Sequence, residues 1–298
     1  LIKAARKEGI TGYPVHIKLD TGMHRLGFNA SQVESGECRM ENYDNLSSSE
    51  SMQTSATNSN DNSTLYTLHS QLDEIDRLID ILQHQQAVVP RSVFSHFVGS
   101  DSADFDEFSA LQFERFDKAS KRLQAAFPHR ILRHIDNSAG IEHFPERQLD
   151  MCRLGIGLYG VDSIDNRILN TVSTLKTTIL QMRRVPKDET VGYSRKGVLT
   201  RDSVIAAIPI GYADGLNRHL GRGRCYCLVN GKRAPYVGNI CMDVAMIDVT
   251  DIDCKEGDTV EIFGDHLPVT VLADCLATIP YEVLTGISNR VKRVYFQD

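Results

Sequence analysis

The sequence predicts an α/β chain in two parts. Residues 1–162 read as strands and helices around a parallel sheet or part of a barrel, and residues 163–298 as a mostly β domain. Three observations predict this. Strand-like and helix-like segments alternate up to about residue 160. Beyond Asp162 the helical periodicity gives way to β-rich runs such as "SVIAAIPIGYA" and "VAMIDV". Asn230-Gly231 lies between two such runs and is a strong hairpin signal.

The opening "LIKAARKEGI" has no Met and reads as the end of a helix stopped at Gly9, so the natural N-terminus is expected upstream. It is not a signal peptide. Val15–Leu19 reads as the first strand, with Val15, Ile17 and Leu19 on one face and His16, Lys18 and Asp20 on the other. That second face is wholly ionisable, and the run continues into a loop with two glycines and Arg25. The stretch "DNLSSSESMQTSATNSNDNST" cannot bury enough apolar surface to order itself and reads as a disordered surface insertion within about 35–64. Leu68, Leu72, Ile75, Leu78, Ile79 and Leu82 recur with the period of a helix. Ser92–Phe97 is the second strand. Phe108, Leu111, Phe116, Ala119 and Leu123 mark a longer helix. Ile131–Ile135 is the third strand, and a short one is expected at Met151–Arg153. In the second region "ILNTVSTLKTTILQMRRV", "RCYCLVNGKRAPYVGNICM" and "DTVEIFG" are strand-like. One helical segment from Thr270 to about Ser288, with Pro280 at a helix start, closes the domain.

Composition narrows the function classes. A net charge of −6 without a basic block argues against nucleic acid. Seven cysteines, an odd number with no CxxC pair, suggest a reducing, cytoplasmic setting. No apolar run approaches the roughly 20 residues of a membrane span. The ten histidines show no metal-ligand spacing.

Several residues are candidates for chemistry. Gly155-Ile156-Gly157-Leu-Tyr-Gly160 matches GxGxxG. A dinucleotide loop would need a following helix and an acidic residue about 20 positions on, and neither is present. Glycines after a strand still let backbone N–H groups approach an anion, and Asn137-Ser138-Ala139-Gly140 ends the preceding strand in the same way. Two such turns resemble the phosphate site at the C-terminal face of a barrel, and two plain tight turns are an equal alternative. Arg153, near a strand end, must have partners if buried, and a structural ion pair is the bland reading. His96 is more often a satisfied core histidine than a catalyst. Tyr193 in "VGYSRKG" and Tyr212 in "PIGYADG" are flanked by glycine, which lets a hydroxyl reach a cleft, although tyrosine near turns is common.

Together the stretches "HIKLDTGMHRLGF", "SHFVGSD", "HIDNSAGI", "MCRLGIGLYG", "VGYSRKG", "IPIGYADGLNR", "VNGKRAPYVGNICMDVAMIDVTD" and "IPYEVLTGISNRVKR" resemble alanine racemase, a pyridoxal-phosphate (PLP) enzyme of fold type III. They keep the family's order and cover nearly the whole chain outside the insertion. The resemblance implies an eight-stranded TIM-type βα barrel, here its C-terminal half, followed by a β domain. It implies a homodimer with a shared active site and alanine as substrate. It further implies D-alanine for cell-wall peptidoglycan and, in some members, an upstream cell-wall ligase. Lys18 matches a lysine that many members carry as a carbamate, which would hold Arg25. Arg25 matches the arginine at the PLP phenolic oxygen and the substrate. His96 matches the histidine beside the pyridine ring, and Arg153 the arginine on the pyridine nitrogen. Ser138, the backbone at Gly155 and Ile156, and Tyr281 match the phosphate site. Tyr193 matches the catalytic tyrosine given by the partner subunit, one base of a two-base mechanism. Tyr212 and Met242 match the substrate pocket.

There are departures. The family's Schiff-base lysine lies in an N-terminal motif with no match here, so residues 1–298 alone are expected to be inactive. Leu154 and Lys292 stand where prolines are usual. A serine or broader-specificity racemase and a non-catalytic PLP-binding fragment are the alternatives.

Overall fold

The computed structural model describes residues 1–30 and 73–296, as two compact units, Leu1–Leu154 and Gly155–Asp298. The Ser/Asn-rich insertion, together with Leu68 and Leu72, lies outside the described residues.

In the first unit, helix α1 (Ile2–Lys7) carries Arg6 and Lys7 in its last turn, where cations suit the helix dipole, and Gly9 follows at φ +66°. Strand β1 (Tyr13–Asp20) buries Ile17 and Leu19 and turns His16, Lys18 and Asp20 to the other face. Burial of each of these two apolar chains contributes roughly 1.5–3 kcal/mol. A two-residue strand β2 (Phe28–Asn29) follows. Helix α2 (Glu74–Gln83) is capped by Asp73, which accepts from the Asp76 N–H at 2.9 Å, and buries Ile75, Leu78 and Leu82. Strand β3 (Val88–Phe94), helix α3 (Asp106–Ala125), strand β4 (Leu132–His134) and the short helix α4 (Ser138–His143) complete the unit.

The sheet runs β2-β1-β3-β4, parallel throughout. Its core is Leu19, Val93, Phe97, Phe116, Leu123, Ile131 and Ile135. Arg122 of α3 ties down the N-terminus of α2 through Asp73, at 2.7 Å, and Asp76. The register of β1 on β3 shifts by one residue between Val15 and His16. Pro90 sits at the shift, where its missing N–H already interrupts the ladder.

Two expectations need correction. Met151–Arg153 is not a strand. Among the described residues its backbone meets the chain around β4 only through Asp150 N and Arg153 N, which donate to Arg133 O and Asp136 O. Their odd spacing breaks the alternation that a ladder needs. The fourth strand of the sheet is instead Phe28–Asn29. The second strand also begins and ends earlier than Ser92–Phe97, so His96 lies beyond its end.

The second unit is antiparallel. One sheet has the order β11-β10-β13-β5, with β5 (Leu175–Thr178), β10 (Tyr226–Val229), β11 (Lys232–Pro235) and β13 (Thr259–Phe263). A second runs β12-β9-β6, with β6 (Gln181–Val185), β9 (Ser203–Ile208) and β12 (Ala245–Asp248). A small hairpin pairs β7 (Thr190–Val191) with β8 (Gly197–Val198). Asn230 and Gly231 both take positive φ, +50° and +75°, and close the β10–β11 hairpin as the dipeptide predicts. The core gathers Ile208, Leu216, Tyr236, Ile247 and Val260. The closing helical segment is two helices, α5 (Val269–Leu276) and α6 (Pro280–Thr285). Ala277 turns left-handed at φ +53°, Ile279 is extended, and Pro280 starts the second helix.

Candidate functional site

The candidate residues of the first unit lie at or beyond the C-terminal ends of its strands. Asp20, the last residue of β1, accepts from the N–H groups of Gly22 and His24, each at 3.0 Å, and so shapes the following loop. Gly27 ends that turn at φ +126°. A Cβ there would lie 2.9 Å from Lys18 O and Asp20 N, so the chain can fold back along β1 only with glycine. Lys18 points its Nζ into this region, 5.8 Å from the Phe94 ring centroid. The Nζ is buried and has no hydrogen-bond partner among the described residues. Burial lowers the Lys18 pKa; Asp20 opposes this, and the Arg25 and Arg153 charges add to it.

Arg153 is the centre of the group. Nη2 donates to Ser95 O at 2.7 Å and Ile135 O at 2.9 Å, and faces His96 Nδ1 at 3.2 Å. Nη1 faces His134 Nδ1 at 2.6 Å. A guanidinium has only donors, so His134 Nδ1 accepts from Nη1 and that ring is neutral, whereas the two Nη2 protons go first to the carbonyls and His96 Nδ1 can only share one of them. Burial, then the Arg153 charge, pushes His96 and His134 down to about 4, which agrees. Gln112 of α3 steadies the loop after β3: it accepts from Val98 N at 3.0 Å and donates to His96 O at 3.2 Å. Asp136 is fully buried, and neither carboxylate oxygen has a hydrogen-bond partner among the described residues. Burial pushes its pKa up to about 6 although Arg153 and Arg147 oppose this. Ser138 opens α4 and is buried, next to the cap Asn137, which accepts from Gly140 N at 3.0 Å.

In the second unit, Gly155 leads into a 3₁₀ turn, Ile156–Tyr159. The Ile156 N–H is already engaged, donating to the Tyr281 hydroxyl at 2.9 Å. Tyr193 stands in the β7–β8 loop, 69% exposed, and its carbonyl accepts from Asn239 Nδ2 at 3.0 Å. Tyr212 N donates to Cys241 O at 3.0 Å. Gly211 before it makes the approach possible, since a Cβ there would come within 2.2 Å of Met242 O. Tyr193, Tyr212 and Met242 all line one cavity of about 980 Å³, with Asn217, Arg218 and His219.

The structure thus groups Lys18, Arg25, His96 and Arg153 electrostatically in the first unit. It groups Ile156 with Tyr281, and Tyr193 with Tyr212 and Met242, in the second. His134, Asp136 and Gln112 are prominent only in three dimensions, although a histidine and an aspartate within the apolar "ILRHID" were the available signal. Among the described residues no cluster of His, Cys, Asp or Glu could hold a metal ion, and no helix is long and apolar enough to cross a membrane.

The family model described as alanine racemase, N-terminal domain, matches residues 1–83 and 69–163, and that described as alanine racemase, C-terminal domain, matches 172–295. Among curated proteins, alanine racemase 2 of Caldanaerobacter subterraneus subsp. tengcongensis is 37% identical over 290 residues, covering 94% of this chain and 64% of the relative. The alanine racemase of Desulfosudis oleivorans is 36% identical, covering 99% of this chain and 69% of the relative. The chain therefore spans about two thirds of the length of these relatives. Among solved structures, Bartonella henselae alanine racemase with covalently bound pyridoxal phosphate superposes with a TM-score of 0.72 at 28% identity, covering 99% of this chain and 69% of that one. Clostridium difficile 630 alanine racemase gives 0.75 at 30% identity, covering 99% and 67%.

Proposed function

This chain belongs to the alanine racemase family, and on that premise we propose that the intact protein interconverts L-alanine and D-alanine with pyridoxal 5′-phosphate as cofactor. The observation that carries the reading is the setting of Arg153. Both of its amino groups are committed to the protein, which fixes the plane of the guanidinium. A planar cation so held fits a pyridine nitrogen. The buried Lys18 Nζ in the same group, without a hydrogen-bond partner among the described residues, fits a site built to hold charge.

When bound, the cofactor supplies an electron-withdrawing ring that acidifies the amino acid Cα–H. Arg153 stays protonated, so it would offer the ring nitrogen a hydrogen bond without giving up a proton. This would moderate electron withdrawal and favour proton exchange at Cα over bond-breaking side reactions. His96 would lie beside the ring as a neutral imidazole. Ser138, the Gly155–Ile156 backbone and Tyr281 would hold the phosphate. Arg25 would face the substrate side, with its charge set by a carbamate on Lys18. Tyr212 and Met242 would line the substrate pocket. The Tyr193 hydroxyl would exchange the proton on one face of Cα, contributed by the second copy of a homodimer. A phenol near pKa 10 serves only where cations stabilise its phenolate. The product would supply cell-wall peptidoglycan synthesis in the cytoplasm.

Incubation of the intact, PLP-loaded protein with L-alanine in deuterated water tests this. D-alanine with deuterium at Cα is expected. Bound PLP with neither product nor exchange would leave the non-catalytic reading in its place.

A further inference from the structure

The ionisable face of β1 contains a residue that the proposed mechanism does not use. His16 Nδ1 pairs with the Ser92 hydroxyl in a short hydrogen bond. Ser92 Oγ also lies 3.2 Å from His134 Nε2, and His134 Nδ1 lies 2.6 Å from Arg153 Nη1. The relay crosses the sheet from β1 through β3 to β4. It depends on register: the shift at Val15 sets His16 opposite Ser92, and the next strand sets Phe94 opposite His134. The Phe94 ring stacks on His134 with centroids 5.1 Å apart and planes within 5°, which holds the imidazole in its plane.

We infer that Ser92 and His16 are positioning residues, which act through His134 to fix the Arg153 guanidinium; what Arg153 is positioned for rests on the racemase reading. Donor and acceptor chemistry gives the relay one direction. Arg153 can only donate, so His134 Nδ1 is the acceptor and the imidazole proton sits on Nε2. That Nε2–H donates to Ser92 Oγ. The Ser92 O–H is then free to donate to His16 Nδ1. Ser92 is 0% and His134 4% exposed, so the link between them is shielded from water, while His16 holds the exposed end of the relay. Any other protonation of His134 sets an N–H against an N–H of Arg153. The bland alternative is that Ser92 is only a satisfied core hydroxyl and that Arg153 is held by its carbonyl partners alone.

The test uses the intact protein with PLP bound and ¹⁵N-labelled histidine and arginine, read by NMR. In the wild type, His134 is expected as the neutral Nε2–H tautomer with a slowly exchanging Nε2–H. Ser92→Ala should speed that exchange and move the Arg153 Nε–H resonance, and Ser92→Thr, which keeps the hydroxyl, should restore both. His16→Phe should move the His134 Nε2–H signal in the same direction while leaving Ser92 in place. In alanine turnover, Ser92→Ala should lower kcat about tenfold with KM little changed, again restored by Thr. A proton on His134 Nδ1, or His134 and Arg153 signals unmoved by Ser92→Ala, would overturn the inference. If Ser92→Ala does not fold, unmoved signals in His16→Phe overturn it equally. Intact relay signals in a protein without racemase activity would leave the relay standing and remove the reading of what it serves.

Discussion

Tyr281 and Ile156, 125 residues apart in sequence, are joined by one hydrogen bond: the Ile156 N–H donates to the Tyr281 hydroxyl oxygen at 2.9 Å. The bond pins the glycine-rich turn Gly155–Tyr159 to the first turn of α6. As acceptor in this bond, the Tyr281 hydroxyl keeps its own proton to donate elsewhere. If the turn holds the cofactor phosphate, as proposed, that proton would make the contact expected of the Ile156 N–H.

Tyr281→Phe should leave a buried N–H unpaired and remove that hydroxyl donor. Destabilisation of about 1–3 kcal/mol is expected from the unpaired group. The PLP dissociation constant should rise about tenfold, or ~1.4 kcal/mol. Thermal unfolding and PLP absorbance titration measure the two effects separately. No change in either would show that the bond is incidental.

Tyr193→Phe keeps the ring and removes the hydroxyl from the exposed β7–β8 loop. Turnover should fall by about 10² or more in both directions, while the PLP absorbance of the intact protein is unchanged. Near-normal racemisation, followed by optical rotation, would exclude Tyr193 as a base.

Asp136 and the two histidines give opposite pH slopes. Burial raises the folded Asp136 pKa from 3.8 to about 6. Between these values the folded chain holds a proton that the unfolded chain has released, so this contribution to stability falls as pH rises through the window and stays lost above it. Asp136→Asn should abolish that slope and stabilise the chain at pH 7 by something on the order of 2 kcal/mol. His96 and His134 are lowered from 6.5 to about 4, so their contribution is complete above 6.5 and is lost as pH falls toward 4. Denaturant unfolding of the wild type and Asp136→Asn between pH 4 and 8 measures both slopes. A variant less stable than wild type at pH 7 would mean that the carboxylate has a partner that holds it charged.

Lys18 should take up carbon dioxide. Its buried Nζ has no partner among the described residues, and its lowered pKa leaves more of the neutral amine that reacts. The intact protein in ¹³C-bicarbonate should show a carbamate carbon resonance that is absent in Lys18→Ala. Small carboxylates should partly restore the activity lost in that variant. Identical carbon spectra for the two proteins would leave Lys18 an ammonium.

Periodicity made several elements legible. Alternation in "VHIKLD" marked β1 and its ionisable face, the spacing of Ile75, Leu78 and Leu82 marked α2, and Asn230-Gly231 marked its hairpin. Local chemistry dictates each of these, because side-chain direction and turn conformation depend on a few neighbouring residues. The weak points were short or edge segments. Met151–Arg153 has strand-like residues but makes only scattered hydrogen bonds, and two residues at Phe28 were too few to show a pattern.

By itself the sequence determined the family motifs, their order and the residue types available: Lys18, Arg25, His96, Arg153, Tyr193 and Tyr281 all stood out. Tertiary structure alone decided which of them meet. The one-residue register shift beside Pro90 brings His16 to Ser92, and the pairing of β3 with β4 brings His134 beneath Arg153. Asp136 looks like any turn aspartate until its burial leaves both oxygens without a donor among the described residues. The physical reason is common to all three. Hydrogen-bond partners and desolvation belong to the space around a residue, and that space is filled by chain distant in sequence.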